Sequence, residues 1–114
     1  MNQLVHWEIP STDLKKSRAF YQKLFGWKMK PLGKNYVLFD IDQGVGGGIT
    51  KVKKVPKPCL GVYIGVDDIP RTLFKVLENG GKVKVPRTPI GKGMGYIGAF
   101  LDPCGCMIGL WSKK

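Results

Sequence analysis

The chain has 114 residues, a formal net charge of +11 and 43% hydrophobic residues, which is enough for one small domain with a modest core. No apolar stretch is long enough to cross a membrane, and His6 and Glu8 interrupt the region where a signal peptide would need a continuous apolar run. We therefore expect a cytoplasmic protein. The odd number of cysteines, Cys59, Cys104 and Cys106, favours reduced thiols over a disulfide framework.

The predicted elements form two similar halves. In the first half, a strand leads into a helix that Asp13 caps and Gly26 ends, and three strands follow. The second half repeats this order with Asp68 and Gly81, and in both halves the glycine follows the aspartate by thirteen residues. A duplicated βαβββ unit explains this spacing. The predicted strands are 4–9, 27–30, 35–41 and 44–50 in the first half, and 60–66, 82–85, 96–101 and 106–111 in the second.

Each half is too short to bury its own sheet, so the two halves must pack together. We divide the chain into module one (1–50), a lysine-rich linker (51–58) and module two (59–114). The two modules should share a cavity, and function should lie in that cavity. The loop 86–95, which is rich in glycine and proline, is a candidate lid over it.

Three segments of the sequence resemble one known superfamily. They are His6–Pro10, the helix region Arg18–Trp27 and the C-terminal segment Phe100–Gly105. Together they resemble the vicinal oxygen chelate superfamily, which includes glyoxalase I, bleomycin-resistance proteins, fosfomycin-resistance enzymes and extradiol dioxygenases. The resemblance covers essentially the whole chain and implies a single glyoxalase-like domain, 1–114. Its expected class is α+β, with two tandem βαβββ modules that form a cupped, incomplete mixed β-barrel with the helices outside.

The resemblance also implies where metal ligands would lie, namely on strands one and four of each module. In glyoxalase-like members, His or Glu residues at these positions hold a divalent ion. His6 occupies the first of these positions, and it is the only one retained. The other three fall on glycines, at Gly61, within Gly46–Gly48 and at Gly109. Because catalytic sites normally use about three protein ligands, we expect an incomplete metal site and no metal cofactor.

Glu8 leaves a metal-dependent alternative open, because strand alternation places it on the same face as His6. The pair could give a divalent ion two ligands, with Asp40 as a candidate third, in a lyase, isomerase or dioxygenase. Without a metal, His6 and Glu8 are still the best candidate catalytic residues, with His6 as a general base or as a donor to an anionic ligand. The alternative for His6 is a structural histidine that is satisfied by hydrogen bonds.

Aromatic side chains are expected beside these polar residues. In the family register Tyr63 lies level with Glu8, and Trp111 lies two residues beyond Gly109; packing in the core or at its rim is the alternative for both. Such a cavity suits a small anionic or aromatic ligand, and the family commonly completes its cups in homodimers. The predicted ligand-binding residues are His6, Glu8, Tyr36, Tyr63, Met107 and Trp111.

The positive charge allows a second alternative, which is binding of nucleic acid or an acidic partner. Only the segment Lys51–Lys57 forms a cluster, and no nucleic-acid motif accompanies it, so we expect a solvated linker instead. Cys104 and Cys106 are one residue apart, which is too close for a usual redox motif and lacks the further ligands of a zinc site. We interpret them as a turn cysteine and a strand cysteine.

Overall fold

The computed structural model describes residues 4–57 and 61–114, and its order of elements confirms the two-module prediction. Each module consists of a strand, a helix and three more strands. The elements of module one are β1 (Trp7–Ser11), α1 (Leu14–Phe25), β2 (Lys28–Pro31), β3 (Tyr36–Asp40) and β4 (Gly47–Lys51). Those of module two are β5 (Tyr63–Gly65), α2 (Ile69–Glu78), β6 (Lys82–Pro89), β7 (Tyr96–Leu101) and β8 (Met107–Ser112).

The strands form two four-stranded sheets with the same topology. Sheet A has the order β1-β4-β3-β2, and sheet B has the order β5-β8-β7-β6. In each sheet the first strand pairs in parallel with the fourth, and the other pairings are antiparallel. The two sheets do not join into one closed barrel, which agrees with the expectation of an α+β fold with an incomplete barrel.

Both helices begin as the sequence predicts. The side chains of Asp13 and Asp68 accept hydrogen bonds from backbone N–H groups three residues later, at 3.1 and 3.0 Å. Gly26 ends α1 in the left-handed conformation, with φ of 72°. After α2 this conformation falls on Gly80 rather than on Gly81, so the two helix ends differ by one residue. Neither helix in the described part of the chain is long and apolar enough to cross a membrane.

The core is one continuous cluster to which both modules contribute. Helix α1 packs on sheet A through an aromatic group that includes Tyr21, Trp27 and Phe39, with the rings of Trp27 and Phe39 stacked at 4.7 Å. The same helix reaches module two, because the ring centroids of Phe20 and Phe100 lie 5.9 Å apart. Each sheet therefore has one face covered by helix and core and one face that is open.

A buried hydrogen bond also joins the modules. Tyr21 donates its hydroxyl proton to Asp102 Oδ2 at 2.9 Å, and Asp102 Oδ1 accepts from the backbone N–H groups of Cys104 and Cys106, each at 2.9 Å. Burial raises the pKa of the Asp102 carboxyl, although these hydrogen bonds partly offset the rise. Burial likewise raises the pKa of Tyr21 well above its ordinary value. Asp102 therefore fixes the β7–β8 turn to α1.

Three expectations need correction. Strand β6 continues to Pro89, so the predicted loop 86–95 is reduced to residues 90–95 between two paired strands. Lys51 belongs to β4, and the rest of the predicted linker is anchored by Val55, which is 6% exposed. Cys106 is disulfide-bonded, so the expectation of reduced thiols is wrong for this residue, whereas Cys104 carries a free thiol.

Some predictions stay open. Cys59 and residue 58, the end of the predicted linker, lie outside the described residues. The lysines at 51, 53, 54 and 57 are exposed, which is expected both for a solvated linker and for a binding surface. Nucleic-acid binding by this segment therefore stays a prediction.

Candidate functional site

The open face of sheet A carries three of the predicted site residues. In β1, Trp7 and Ile9 point into the core, and the side chain of Glu8 between them is exposed on the opposite face. Tyr36 projects to the same face from β3, next to the buried Val37. His6 directly precedes β1 and reaches the Tyr36 hydroxyl. Strand alternation thus brings together residues that are about thirty positions apart in the sequence.

Tyr36 links His6 to Glu8 through two short hydrogen bonds. Its hydroxyl donates to Glu8 Oε2 at 2.8 Å, and His6 Nε2 lies 2.7 Å from the same hydroxyl oxygen. A phenol has one proton, and here that proton points to Glu8, so the N–H of His6 Nε2 must donate to Tyr36. The lone pair of a neutral His6 is then on Nδ1, which can accept a proton from a ligand.

The environment of Tyr36 keeps its hydroxyl protonated. Desolvation, the hydrogen bond to Glu8 and the negative charge of Glu8 raise the pKa of Tyr36 to about 12. The rings of His6 and Tyr36 are nearly parallel, at 12° and 6.4 Å between centroids. At neutral pH Tyr36 is therefore a hydrogen-bond donor that fixes the position of its two neighbours, and it is neither a base nor a nucleophile.

A pocket of about 310 Å³ opens beside His6, which is a volume typical of a small-ligand site. Lys28 and Lys30 are two residues apart on β2, and both line this pocket. Asp40 lies opposite Lys28 in the register of β2 and β3. The summed formal charge of these three side chains is positive. The complete lining is Val5, His6, Lys28, Met29, Lys30, Leu38, Phe39, Asp40, Gly46 and Gly47.

Tyrosine rings cover a glycine in both sheets. Gly48 lies opposite Glu8 in the register of β4 and β1, and a Cβ atom added at Gly48 would overlap the ring of Tyr36. In sheet B, Gly109 lies opposite Tyr63, and a Cβ atom added there would meet the ring of Tyr63. Tyrosine rings thus occupy the space into which side chains at these two family ligand positions would project.

The described residues do not form a complete set of metal ligands. His6 and Glu8 both bond to Tyr36, and Asp40 lines the pocket of His6. Within residues 4–57 and 61–114, no group of three or more His, Cys, Asp or Glu side chains is placed to hold a metal ion. Glycine at the other family positions supplies no side-chain ligand.

The other three predicted residues lie on the open face of sheet B. Tyr63, Met107 and Trp111 are 62%, 37% and 41% exposed. The indole N–H of Trp111 donates to the backbone carbonyl of Met94, 3.0 Å away in the β6–β7 loop. The six predicted ligand residues thus divide equally between two sheets. The pocket that His6 lines is formed by module one alone, and not by both modules as the sequence suggested.

Sequence reasoning missed two features. The first is the pair Lys28 and Lys30, whose period-two spacing on a predicted strand was the available signal. The second is a buried hydroxyl pair, Ser11 and Ser17, whose Oγ atoms lie 2.6 Å apart and 3.6 and 3.5 Å from Cys104 Sγ. Burial raises the pKa of the Cys104 thiol, but hydrogen bonds from Thr12, Ser17 and Ser11 outweigh it and the net shift is downward.

Known proteins with similar sequences and structures agree with this architecture. Residues 3–42 match the family model described as bleomycin resistance protein-like N-terminal. A glyoxylase-like domain-containing protein of Didymella fabae is 38% identical over 87 residues, which is 66% of each chain. The putative glyoxylase CFP32 of Mycobacterium bovis is 28% identical over 116 residues, covering 94% of this chain and 44% of that protein. The chain thus spans about two thirds of the length of the first relative and less than half of the length of the second.

The fosfomycin resistance protein FosX of Listeria monocytogenes has the same fold, with a TM-score of 0.81 and 19% identity over 98% of this chain and 93% of its own. Another structure of FosX contains Mn(II) and a sulfate ion. The sequence matches, the common fold and the paired βαβββ modules lead to one conclusion. The chain belongs to the vicinal oxygen chelate superfamily, the group of glyoxalase-like and bleomycin-resistance-like proteins.

Proposed function

We propose that the protein binds a small anionic ligand in the pocket of sheet A and does so without the metal ion typical of its superfamily. The observation that carries this proposal is the hydrogen-bond chain of His6, Tyr36 and Glu8, which ends at the pocket lined by Lys28 and Lys30. The charge of the two lysines outweighs that of Asp40, and the Nδ1 lone pair of His6 can accept a proton from an acidic group of the ligand, so the pocket favours an acidic ligand.

Each residue has a distinct part in this proposal. Lys28 and Lys30 supply charge to the ligand from β2, while Leu38 offers an apolar surface for its uncharged part. Tyr36 holds the His6 ring in place, because its hydroxyl is fixed in turn by Glu8. Tyr36 is thus a positioning residue, and His6 is the candidate general base through its Nδ1 atom.

The ligand can be tested with phenylphosphonate, an anion with one aromatic ring. A phosphonate is a reasonable first probe because FosX has been seen with Mn(II) and a dihydroxypropylphosphonic acid. We expect calorimetric titration to show binding that Lys30→Gln weakens about tenfold, as for loss of one charge-assisted hydrogen bond. Lys34→Gln, at an exposed lysine of the β2–β3 turn, is the matched control and should bind like the wild type.

The tyrosines give a second matched pair. Tyr36→Phe removes the hydroxyl between His6 and Glu8, whereas Tyr63→Phe removes a hydroxyl from the exposed ring on sheet B. We expect only Tyr36→Phe to weaken phenylphosphonate binding. Equal affinity of the wild type, Tyr36→Phe and Lys30→Gln would contradict a site on sheet A.

Independence from metal is tested by elemental analysis of the purified protein after incubation with zinc, nickel, manganese and iron. The expected result is the same low metal content in the wild type and in His6→Ala. Stoichiometric metal that His6→Ala loses would instead establish the metal-dependent alternative, in which His6 and Glu8 act in a lyase, isomerase or dioxygenase. Glutathione hemithioacetals and catechols would then be the substrates to test.

We further propose that the protein forms a homodimer in which the open face of sheet B is covered. The support is the exposure of Tyr63, Met107 and Trp111 on that face. Sedimentation velocity should show a dimer that Trp111→Glu dissociates and that Leu32→Glu, at an exposed site of module one, does not. A monomeric wild type at micromolar concentration would refute this part. A cytoplasmic location is the accompanying proposal, and cell fractionation tests it.

A further inference from the structure

Helix α2 has an apolar stripe that is wider than the part it buries. Ile69, Leu73 and Val76 are buried against the core. Leu77 and Phe74 continue the stripe to one side, and they are 55% and 63% exposed. The apolar stripe of a surface helix normally faces the core, so the exposed part of this stripe requires a separate explanation.

Helix α1 shows what such a surface normally looks like. Its outward positions include Lys15, Lys16, Gln22 and Lys23, all exposed and all polar. The two helices occupy equivalent places in the two modules, yet only α2 exposes large apolar side chains. The exposed surface of α2 is therefore a property of this helix and not of the repeated architecture.

The apolar surface continues onto the neighbouring edge strand and forms a groove. Val83, which is 40% exposed, and Pro86 of β6 lie across from Phe74 and Leu77. We call this the α2–β6 groove; it is shallow, has a volume of about 430 Å³ and is lined by Pro70, Leu73, Phe74, Leu77, Val83, Pro86 and Arg87. Neither the anion pocket nor the open face of sheet B includes these residues.

Basic side chains lie on both elements that form the groove. Arg87 lines the groove itself, and its guanidinium lies 3.6 Å from the centroid of the Tyr96 ring, a cation–π contact that holds the charge there. Lys82 and Lys84 are also exposed on β6, which carries no carboxylate. On α2, Arg71 and Lys75 lie beside Asp67 and Asp68 instead. The β6 side of the groove is therefore basic.

The charge and the strand edge together restrict the occupant. A second copy would place the same basic side chains of β6 against one another, so self-association at this groove is opposed by local repulsion. β6 is an edge strand, but Pro86 and Pro89 have no N–H to donate to an added strand. The features that remain favour an amphipathic helix.

We propose that the α2–β6 groove docks an acidic amphipathic helix of a partner protein. Apolar side chains of the partner pack between Phe74 and Val83, and its carboxylates bind Lys84 and Arg87. Apolar packing supplies the affinity, and the surrounding charges supply orientation and selectivity. This docking is independent of the anion pocket on sheet A.

The test uses fluorescence anisotropy with the whole protein and a fluorescein-labelled peptide of leucines at helical spacing in a glutamate background. We expect Phe74→Ser to weaken binding about tenfold, as for the loss of an aromatic anchor. Leu32→Ser is the matched control, because Leu32 is 58% exposed in module one. Arg87→Glu should weaken binding more than Lys34→Glu does, and raised salt should weaken all complexes.

Several outcomes would overturn the proposal. Equal binding of a peptide in which lysines replace the glutamates would show that charge does not select the partner. Equal binding by the wild type and Phe74→Ser would show that the groove is not the binding site. A dimer that Phe74→Ser dissociates would make a second copy the occupant. Sedimentation with anionic phosphatidylserine vesicles that depends on Phe74 would make a membrane the occupant. Phenylphosphonate binding should be unchanged in Phe74→Ser, which separates this test from that of the proposed function.

Discussion

The open faces of the two sheets have the same strand order and different chemistry. Each has a tyrosine ring over a glycine of its fourth strand, but Tyr36 covers Gly48 from the third strand of module one, whereas Tyr63 covers Gly109 from the first strand of module two. In sheet A the tyrosine hydroxyl is bonded on both sides, by a histidine and a carboxylate. In sheet B the ring is 62% exposed and its neighbours are apolar. The two modules thus cover equivalent glycines from different strands, and Tyr63 occupies in module two the position that Glu8 occupies in module one.

The largest loss of stability is expected from truncating a buried aromatic side chain in either module, and it tests whether the two modules share one core. Phe39 and Phe100 hold equivalent positions in the two modules. Phe39 pairs with Gly47, which directly precedes the covered Gly48, and Phe100 pairs with Ile108, which directly precedes the covered Gly109. Both are nearly fully buried, so we expect Phe39→Ala and Phe100→Ala each to lower the free energy of unfolding by about 3–5 kcal/mol. Urea titration followed by far-UV circular dichroism should show a single transition in both variants. Two separate transitions would mean that the modules unfold independently.

The next effect distinguishes the two covered glycines. A methyl group in Gly48→Ala must displace the Tyr36 ring and with it both hydrogen bonds, at a cost of about 1–3 kcal/mol. In Gly109→Ala the exposed Tyr63 ring can turn into solvent, so the loss should be below about 1 kcal/mol. Urea midpoints measure both losses. Equal losses would show that the hydrogen-bond chain of sheet A adds no rigidity.

A smaller effect should be equal in the two modules. Asp13→Ala and Asp68→Ala each remove a helix cap of the same geometry, so we expect each to cost about 1 kcal/mol of unfolding free energy. The asparagine variants serve as controls, because asparagine caps nearly as well as aspartate. A clear difference between the two alanine variants would show that one helix depends more on its cap than on its packing.

The smallest effect is a change in pH dependence at the contact between the modules. Burial raises the pKa of Asp102 in the folded state above its unfolded value. The folded protein then binds the proton more tightly, so this group stabilises the fold below the ordinary aspartate pKa, and that stability is lost as pH rises through the folded pKa. Hydrogen bonds to the carboxylate partly offset the effect of burial, which keeps the effect small.

Asp102→Asn cannot titrate, and its unfolding free energy should lack this decline with pH. Thermal unfolding at several pH values between 4 and 7 measures the difference in slope between the variant and the wild type. Parallel profiles would mean that the pKa of Asp102 is not raised. Tyr21→Phe is a useful companion variant, because it removes only the hydroxyl that donates to Asp102.

Much of the fold was accessible from the sequence because its signals are local. The aspartate caps, the glycine after α1 and the period-two pattern of β1 each depend on a few neighbouring residues. The same pattern placed Glu8 on the open face. The end of β6 was missed because Pro86 and Pro89 read as loop residues, although prolines are tolerated on an edge strand.

The site was less accessible because it depends on register between strands that are distant in sequence. Nothing local to Tyr36 indicates that its hydroxyl lies between His6 and Glu8, since that requires β1, β4 and β3 to be adjacent. The exposure of Leu77 on α2 was missed for a different reason. Leu77 has the same helical spacing as the buried Leu73 and Val76, so the sequence pattern does not distinguish it from a core residue.

The distribution of tryptophans gives the molecule two optical signals. Trp7 and Trp27 are 7% and 8% exposed inside module one, so their emission should be blue-shifted and resistant to quenching by iodide. Trp111 is 41% exposed on sheet B, and its indole N–H donates to the backbone carbonyl of Met94 in the β6–β7 loop. The quenchable fraction of the emission therefore comes from one face of module two. Any molecule that covers this face should become visible in the fluorescence of the unlabelled protein.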